Sequence, residues 1–330
     1  MPQVSIIVPN YNHGRFIEER LDSIFNQTFQ DFEVILLDDC STDNSVEILK
    51  KYAQNPQVKG LYVNEHNSGS PFAQWRKGIA FASGEYIWIA ESDDIAAPDF
   101  LEVLVPLLSA NPKRGIAFCR SWIIDEQSQA HGFHDYGTDG FDSRRWEQDF
   151  VVNGREEIRR HFQTFSEIIN ASGVLFRREA FPADFAPAEK MFRCGDWYAW
   201  VSILQDCDLV YIARPLNFFR NCRRWDSPAA YRLFLRQVVM DKFFFPQWFF
   251  KSGLINASER RQLYYRFLRQ WVDAWMPAEW FSRKFWSPFH KNVPPRYVLF
   301  LVAGCLSWVR SWLSPGSRCR KLFKMVDKSK

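Results

Sequence analysis

The chain has 330 residues, 47% of them apolar and 24% charged, with a formal net charge of +4. That composition suits one large or two small globular domains and excludes a disordered chain. Seven cysteines without a C-x-x-C pair exclude a zinc ribbon and a disulfide framework, so a reducing cytoplasm is the default compartment.

Val4–Val8 is an apolar run closed by Pro9, the pattern of a buried strand. Residues 16–25 carry Phe16, Ile17, Leu21, Ile24 and Phe25 at helical spacing. A second strand over 32–37 stops at Asp38-Asp39, and Ser41-Thr42-Asp43 offers N-caps for a helix to about residue 52. A third strand covers 58–63. A turn at 67–71 leads into a helix to about residue 82. A fourth strand over 85–90 ends at Glu91-Ser92-Asp93-Asp94. A helix over 99–108 and a strand over 116–124 follow. Residues 132–154 are polar and read as a surface loop. Strands are expected at 170–176 and 208–212, around a helix that starts near Asp196. Beyond residue 219 the pattern is helical, clearest at 231–249 and 257–275. The N-terminus lacks a basic stretch followed by a long apolar one, so no signal peptide is expected.

Alternating strands and helices predict an α/β, mostly parallel sheet with right-handed crossovers. Ligands of such sheets bind beyond the carboxyl ends of the strands. Two strands here end in acidic pairs. A single strand-end Asp usually caps the next helix or makes an Asx turn. Two pairs on neighbouring strand ends repel one another and invite a cation or a ligand. Hard ions such as Mg²⁺ or Mn²⁺ use few carboxylates plus phosphate oxygens, which suggests metal-assisted handling of a diphosphate. No G-x-x-x-x-G-K-[ST] or G-x-G-x-x-G follows a strand, which argues against P-loop and dinucleotide-binding readings.

The ordered set Val4–Asn12, Gln27-Thr28-Phe29, Asp38–Asp43, Gly84–Ile87, Ser92-Asp93-Asp94, Pro98-Asp99, Ser172–Arg178 and Gly195-Asp196-Trp197 resembles family-2 inverting glycosyltransferases of the bacterial surface-polysaccharide type. The resemblance covers about residues 3–220. It implies a GT-A fold, Rossmann-like, over 1–220, to which the helical pattern beyond adds a C-terminal helical, aromatic-rich extension over 221–330. It implies that Pro9, Tyr11, Asp39 and Asp93 hold the nucleotide of a sugar-nucleotide donor, a UDP-sugar first among them. Asp93 and Asp94 would meet a divalent metal, Mn²⁺ or Mg²⁺, on the diphosphate. Ser172, Gly173 and Trp197 would border the acceptor, and Asp196 would be the catalytic base. Glu91 stands where the family's D-x-D begins. Gly195-Asp196 replaces a common Glu-Asp, and Arg220-Asn221-Cys222 replaces a common Arg-x-His. One base suffices for single displacement, which inverts the anomeric carbon. An inactive nucleotide-sugar-binding homologue is the alternative, and intact Asp39, Asp93, Asp94 and Asp196 argue against it. Asp196 alone could also be a helix N-terminal acid placed by the macrodipole.

Residues 281–330 carry eleven bases and one acid, on a body that is acidic overall. Residues 297–313 form an apolar run interrupted by Arg310, with Trp308 and Trp312 inside it and Trp286 before it. Basic residues and indoles meet lipid headgroups at an anionic interface, so a membrane-surface helix is expected there. A buried helix and a true span remain open, because seventeen residues is the lower limit for crossing a bilayer. With the resemblance, this places the protein at the inner face of the cytoplasmic membrane, acting on a glycan acceptor, lipid-linked, in surface polysaccharide or lipopolysaccharide synthesis. The aromatics lie in apolar runs, not basic grooves, so nucleic acid is not an expected partner.

Overall fold

The computed structural model describes residues 1–133, 144–221, 227–275 and 285. The chain divides into two compact units, 1–224 and 225–330.

In the first unit, β1 (Val4–Asn10), α1 (Ile17–Phe25), β2 (Phe32–Asp38), α2 (Ser45–Tyr52), β3 (Val58–Val63), α3 (Pro71–Phe81) and β4 (Tyr86–Ile89) alternate in order. β5 (Ile95–Ala96), α4 (Phe100–Ser109), β6 (Arg114–Ile124) and β7 (Ala130–Phe133) follow. Then come β8 (Phe150–Asn153), α5 (Gly154–Arg160), β9 (Val174–Arg177), α6 (Ala186–Glu189), α7 (Gly195–Ile203) and β10 (Asp208–Arg220). The sheet order is β3-β2-β1-β4-β9-β6-β10-β5, with β7 on β6 and β8 on β10. β3, β2, β1 and β4 run parallel, as do β6 and β10, while β9 lies antiparallel between the two groups.

β1 is buried along its whole length because it is covered on both faces. Val4, Ile6 and Val8 enter a core with Ile17, Leu21 and Ile24 of α1 and Phe100 and Leu104 of α4. Ile7 faces the other way, onto α3, where Gly78 leaves no room for a Cβ beside it. This close approach fixes α3 against the strands whose ends carry the acids. Trp88 of β4 stacks on Phe100 with ring centroids 4.5 Å apart.

Three elements differ from the sequence reading. The stretch read as a surface loop holds β8, which pairs antiparallel with β10. It also holds Trp146, buried against Tyr211 and Phe150. The strand expected at 170–176 starts at Val174, because the Asn170 side chain caps a tight turn over Ala171–Gly173. The strand expected at 208–212 runs on to Arg220, with register shifts absorbing Arg214-Pro215.

In the second unit, α8 (Pro228–Lys242), α9 (Phe245–Lys251) and α10 (Ala257–Asp273) are described. The single helix expected over 231–249 is broken at 243–244, where Pro246 opens α9 in its first turn. Asn256 and Glu259 form a capping box on α10. Trp271 packs on Phe243, Trp275 and Phe285, and the Arg236 guanidinium lies 3.6 Å over Trp275. No helix among the described residues is long and apolar enough to cross a membrane. The segment 297–313 and most of the basic tail lie outside the described residues.

Candidate active site

The ends of β1 and β2 are in register, with Asn10 opposite Asp38. Asp38 is consumed locally. Its carboxylate accepts from the Asn10 amide at 2.7 Å, the Ser41 N–H at 2.8 Å and the Ser41 hydroxyl at 2.7 Å. The Ser41 hydroxyl oxygen accepts in turn from the Asn12 N–H at 2.9 Å. Asp39, 5% exposed, is held from α3 and the loop before it. It accepts from the Asn64 amide at 2.7 Å, the Ser68 N–H at 2.9 Å, the Ser68 hydroxyl at 2.7 Å and the Gln74 amide at 2.8 Å. Pro9 is buried inside β1, and Tyr11, 46% exposed, projects from the loop that follows. The neighbouring ends of β1 and β2 therefore carry Pro9, Tyr11 and Asp39.

The Glu91–Asp94 turn closes β4. Ser172 stitches it from the side. Its hydroxyl oxygen accepts the Glu91 N–H at 3.1 Å, and its carbonyl accepts the Trp88 indole N–H at 2.8 Å. Arg220 closes the turn from β10. Its N–H donates to Asp94 Oδ1 at 2.8 Å, and its guanidinium donates to the carbonyls of Asp93 (2.7 Å) and Asp125 (2.6 Å) and to Glu19 Oε2 (2.7 Å). His13 Nδ1 lies 2.8 Å from the Ser92 hydroxyl, and the Trp75 indole donates to Glu91 Oε1 at 2.9 Å.

Burial, reinforced by the charge of Asp93, pushes Glu91 up to about 8 and Asp94 up to about 7. The compensating cation is Arg20. It is fully buried, 4.7 Å over the Trp88 ring, and its guanidinium finds no hydrogen-bond partner among the described residues. Burial lowers it to about 10 even though Asp94, Glu91 and Asp93 attract its charge. Asp93 differs from its neighbours. It is half-buried, and its carboxylate takes no hydrogen bond among the described residues.

The acceptor-side expectations fare differently. Trp197 is 1% exposed and donates its indole N–H to the Phe162 carbonyl at 3.0 Å, so its ring is core and cannot stack on a sugar. The Ser172 hydroxyl is committed to the acid turn, and Gly173 is buried beside it. Asp196 is half-buried in the first turn of α7, where its Oδ1 accepts the Trp197 N–H at 2.7 Å. A Cβ on Gly195 would sit 2.5–2.7 Å from three atoms of the Phe72 ring, which explains why no second side chain precedes Asp196.

Arg220, Ser172, Trp75, Arg20 and His13 are the site residues that sequence reasoning did not place in these roles. For Arg220 a signal existed, since it occupies the Arg of the altered Arg-x-His element. Its donors point into the protein and not at a ligand.

The pattern "Glycosyl transferase family 2" matches residues 5–182, more than half of the chain. Over 102 residues the sequence is 41% identical to glycosyltransferase GlyG of Streptococcus pneumoniae serotype 4, covering 31% of this chain and 33% of that protein. Over 101 residues it is 40% identical to the poly(ribitol-phosphate) beta-glucosyltransferase of Bacillus spizizenii, covering 30% of this chain and 16% of that protein. These matches span a third or less of the curated relatives. In three dimensions the chain is similar to S. aureus TarS 1–349 in complex with UDP-GlcNAc, with a TM-score of 0.55 and 18% identity over 92% of this chain and 79% of that one. The GT-A fold is shared.

Proposed function

Because the chain belongs to glycosyl transferase family 2, we propose that it is an inverting, metal-dependent transferase that moves a sugar from a nucleotide-sugar to a glycan hydroxyl. The observation that carries this reading is the uncommitted carboxylate of Asp93 in the Glu91–Asp94 turn, and a second half-buried acid, Asp196, stands in the first turn of α7.

A UDP-sugar is the first donor to test, by analogy with the UDP-GlcNAc held by TarS. Pro9, Tyr11 and the Asp39 network would receive the base and ribose. Asp196 accepts the proton of the acceptor hydroxyl, which is a poor nucleophile until a base within hydrogen-bond reach relieves it of that proton. Attack from the face opposite the leaving diphosphate inverts the anomeric carbon. Asp196 then carries the proton that the hydroxyl lost.

The acid turn fits a divalent cation. Its oxygen donors are hard, and burial together with the Asp93 charge holds Glu91 and Asp94 above the ordinary carboxylate range, so a cation there would favour their ionised forms. Among the described residues there is no group of three side chains able to cage a metal, so an ion held here would need oxygens from the substrate phosphates. Asp93, with Asp94, would hold Mn²⁺ or Mg²⁺, and the ion would neutralise charge on the departing diphosphate.

A lipid-linked acceptor and docking on an anionic membrane by residues 281–330 extend the reading. The excess of basic residues in that segment supports it.

The test is a panel of nucleotide-sugars incubated with Mn²⁺, with and without acceptor glycans, read as nucleotide release. Release from one donor, lost in EDTA and in Asp93→Ala, is the expected result. Release that is insensitive to both overturns the metal reading. Binding without release from any donor indicates an inactive homologue.

A further inference from the structure

α3 touches both halves of the proposed chemistry. Near its start, Phe72 meets the backbone of α7 at Gly195, so closely that a Cβ there would overlap the ring. One turn later Trp75 donates its indole N–H to Glu91 Oε1 at 2.9 Å. The two rings pack edge to face, with centroids 5.4 Å apart and planes at 79°. Trp75 also packs on Trp200, further along α7, at 5.9 Å. All three rings are buried, so Phe72 has little freedom to retreat from α7. α3 is itself fixed, because Gly78 lies directly against Ile7 and Leu37. A chain of close contacts thus runs from the acid turn (Glu91) through Trp75 and Phe72 to the residue before Asp196.

We propose that Phe72 and Trp75 are positioning residues that set where Asp196 stands relative to the Glu91–Asp94 turn, and that Phe72 and Gly195 are a matched pair in which the ring takes the space of a side chain at 195. This rests on the reading of Asp196 as the base. The contacts are rigid ones between buried groups, whereas Asp196 is half-buried and sits in the first turn of its helix. A shift at Gly195 is therefore passed directly to the carboxylate. Proton transfer and in-line attack tolerate little displacement, and a misplacement on the order of 1 Å costs about 100-fold.

The test compares Gly195→Ala, Phe72→Leu, the double variant and Trp75→Phe in the full chain. The assay uses the nucleotide-sugar the wild type turns over, and rates are normalised to folded protein by circular dichroism. Gly195→Ala pushes the first turn of α7 away from Phe72. It is expected to lower kcat about 10- to 100-fold with the donor KM unchanged. Phe72→Leu in the same chain makes room and restores most of the lost kcat. Trp75→Phe keeps the ring contacts but cuts the link to Glu91, so it too is expected to lower kcat, by about 10-fold, and an unchanged kcat would remove Trp75 from the positioning chain.

A folded Gly195→Ala enzyme with wild-type kcat overturns the proposal, as does a double variant no faster than Gly195→Ala. A merely structural contact would lower the melting temperature and leave kcat per folded molecule untouched. If the wild type turns over no donor, the functional reading falls on its own. The matched pair is then judged by the thermal double-mutant cycle, in which strict additivity of Phe72→Leu and Gly195→Ala overturns it.

Discussion

Ser68 holds Asp39 twice, with its backbone N–H 2.9 Å from Oδ1 and its hydroxyl 2.7 Å from Oδ2. With the amides of Asn64 and Gln74 on Oδ1 as well, this carboxylate ties the 64–70 loop and α3 to the end of β2. Asp39→Ala strands the buried Gln74 amide and releases the half-buried Asn64 and the exposed Ser68. It is expected to cost about 1–3 kcal/mol of stability and to weaken nucleotide binding. Ser68→Ala removes a single hydroxyl and is expected to cost about 1 kcal/mol or less. Urea unfolding of both variants measures the difference, and equal costs would contradict the account of Asp39 as the hub.

Asp93 and Asp94 are adjacent and should fail differently. Asp94 is 2% exposed and accepts the Arg220 N–H, so Asp94→Ala leaves a buried donor unpaired and should destabilise the fold by about 1–3 kcal/mol. Asp93→Asn breaks no hydrogen bond and relieves repulsion, so its melting temperature without metal should match or exceed that of wild type. Its stabilisation by Mn²⁺ with UDP should disappear. Calorimetric melting with and without both ligands checks the contrast.

Asp196→Asn keeps the shape of the side chain and removes the proton acceptor. A rate loss of about 10²–10⁴ is expected, the usual worth of a positioned base, with donor affinity held. Single-turnover kinetics and a nucleotide-binding isotherm separate the two. Lost affinity with a retained rate would move Asp196 to the donor side.

Glu167 is buried beside Glu157, which is ion-paired to Arg145, and His161 Nδ1 lies 3.4 Å from Glu167 Oε1. Burial and the Glu157 charge push Glu167 from the ordinary 4.5 up to about 8. The folded state therefore binds this proton more tightly than the unfolded chain does. The stability it confers is complete below about pH 4.5 and is lost as pH rises through about 8. Glu167→Gln mimics the protonated form and should flatten that decline, becoming the more stable protein at pH 8.5 but not at pH 5. Urea midpoints at the two pH values give the answer.

What the sequence disclosed was local. β1, β2 and β4 are short apolar runs that give way to Asn10, Asp38 and Glu91, and a strand end is visible wherever hydrophobicity stops at a polar residue. Asp38 capping Ser41 is likewise a three-residue event. Trp197, expected at the acceptor side, is core instead, as its neighbours Tyr198, Trp200 and Val201 in an almost wholly apolar α7 already imply. β8 and the second half of β10 carry Arg, Asn and Pro, and they pair because of their neighbours and not because of their own pattern. The Phe72–Gly195 contact joins residues 123 positions apart, and no spacing announces it.

Arg220 reaches back 201 residues to Glu19 and 126 to Asp94. During synthesis, at roughly 5–20 residues per second, the acid turn leaves the ribosome some 6–25 seconds before the residue that locks it. In that interval β6 has an open edge, because β10, its parallel partner, has not yet been made. The nascent chain can assemble β1 to β4 early, yet it cannot close the Glu91–Asp94 turn until β10 docks. A nucleotide-sugar added to stalled nascent chains should therefore protect them from proteolysis only once residue 220 has cleared the exit tunnel.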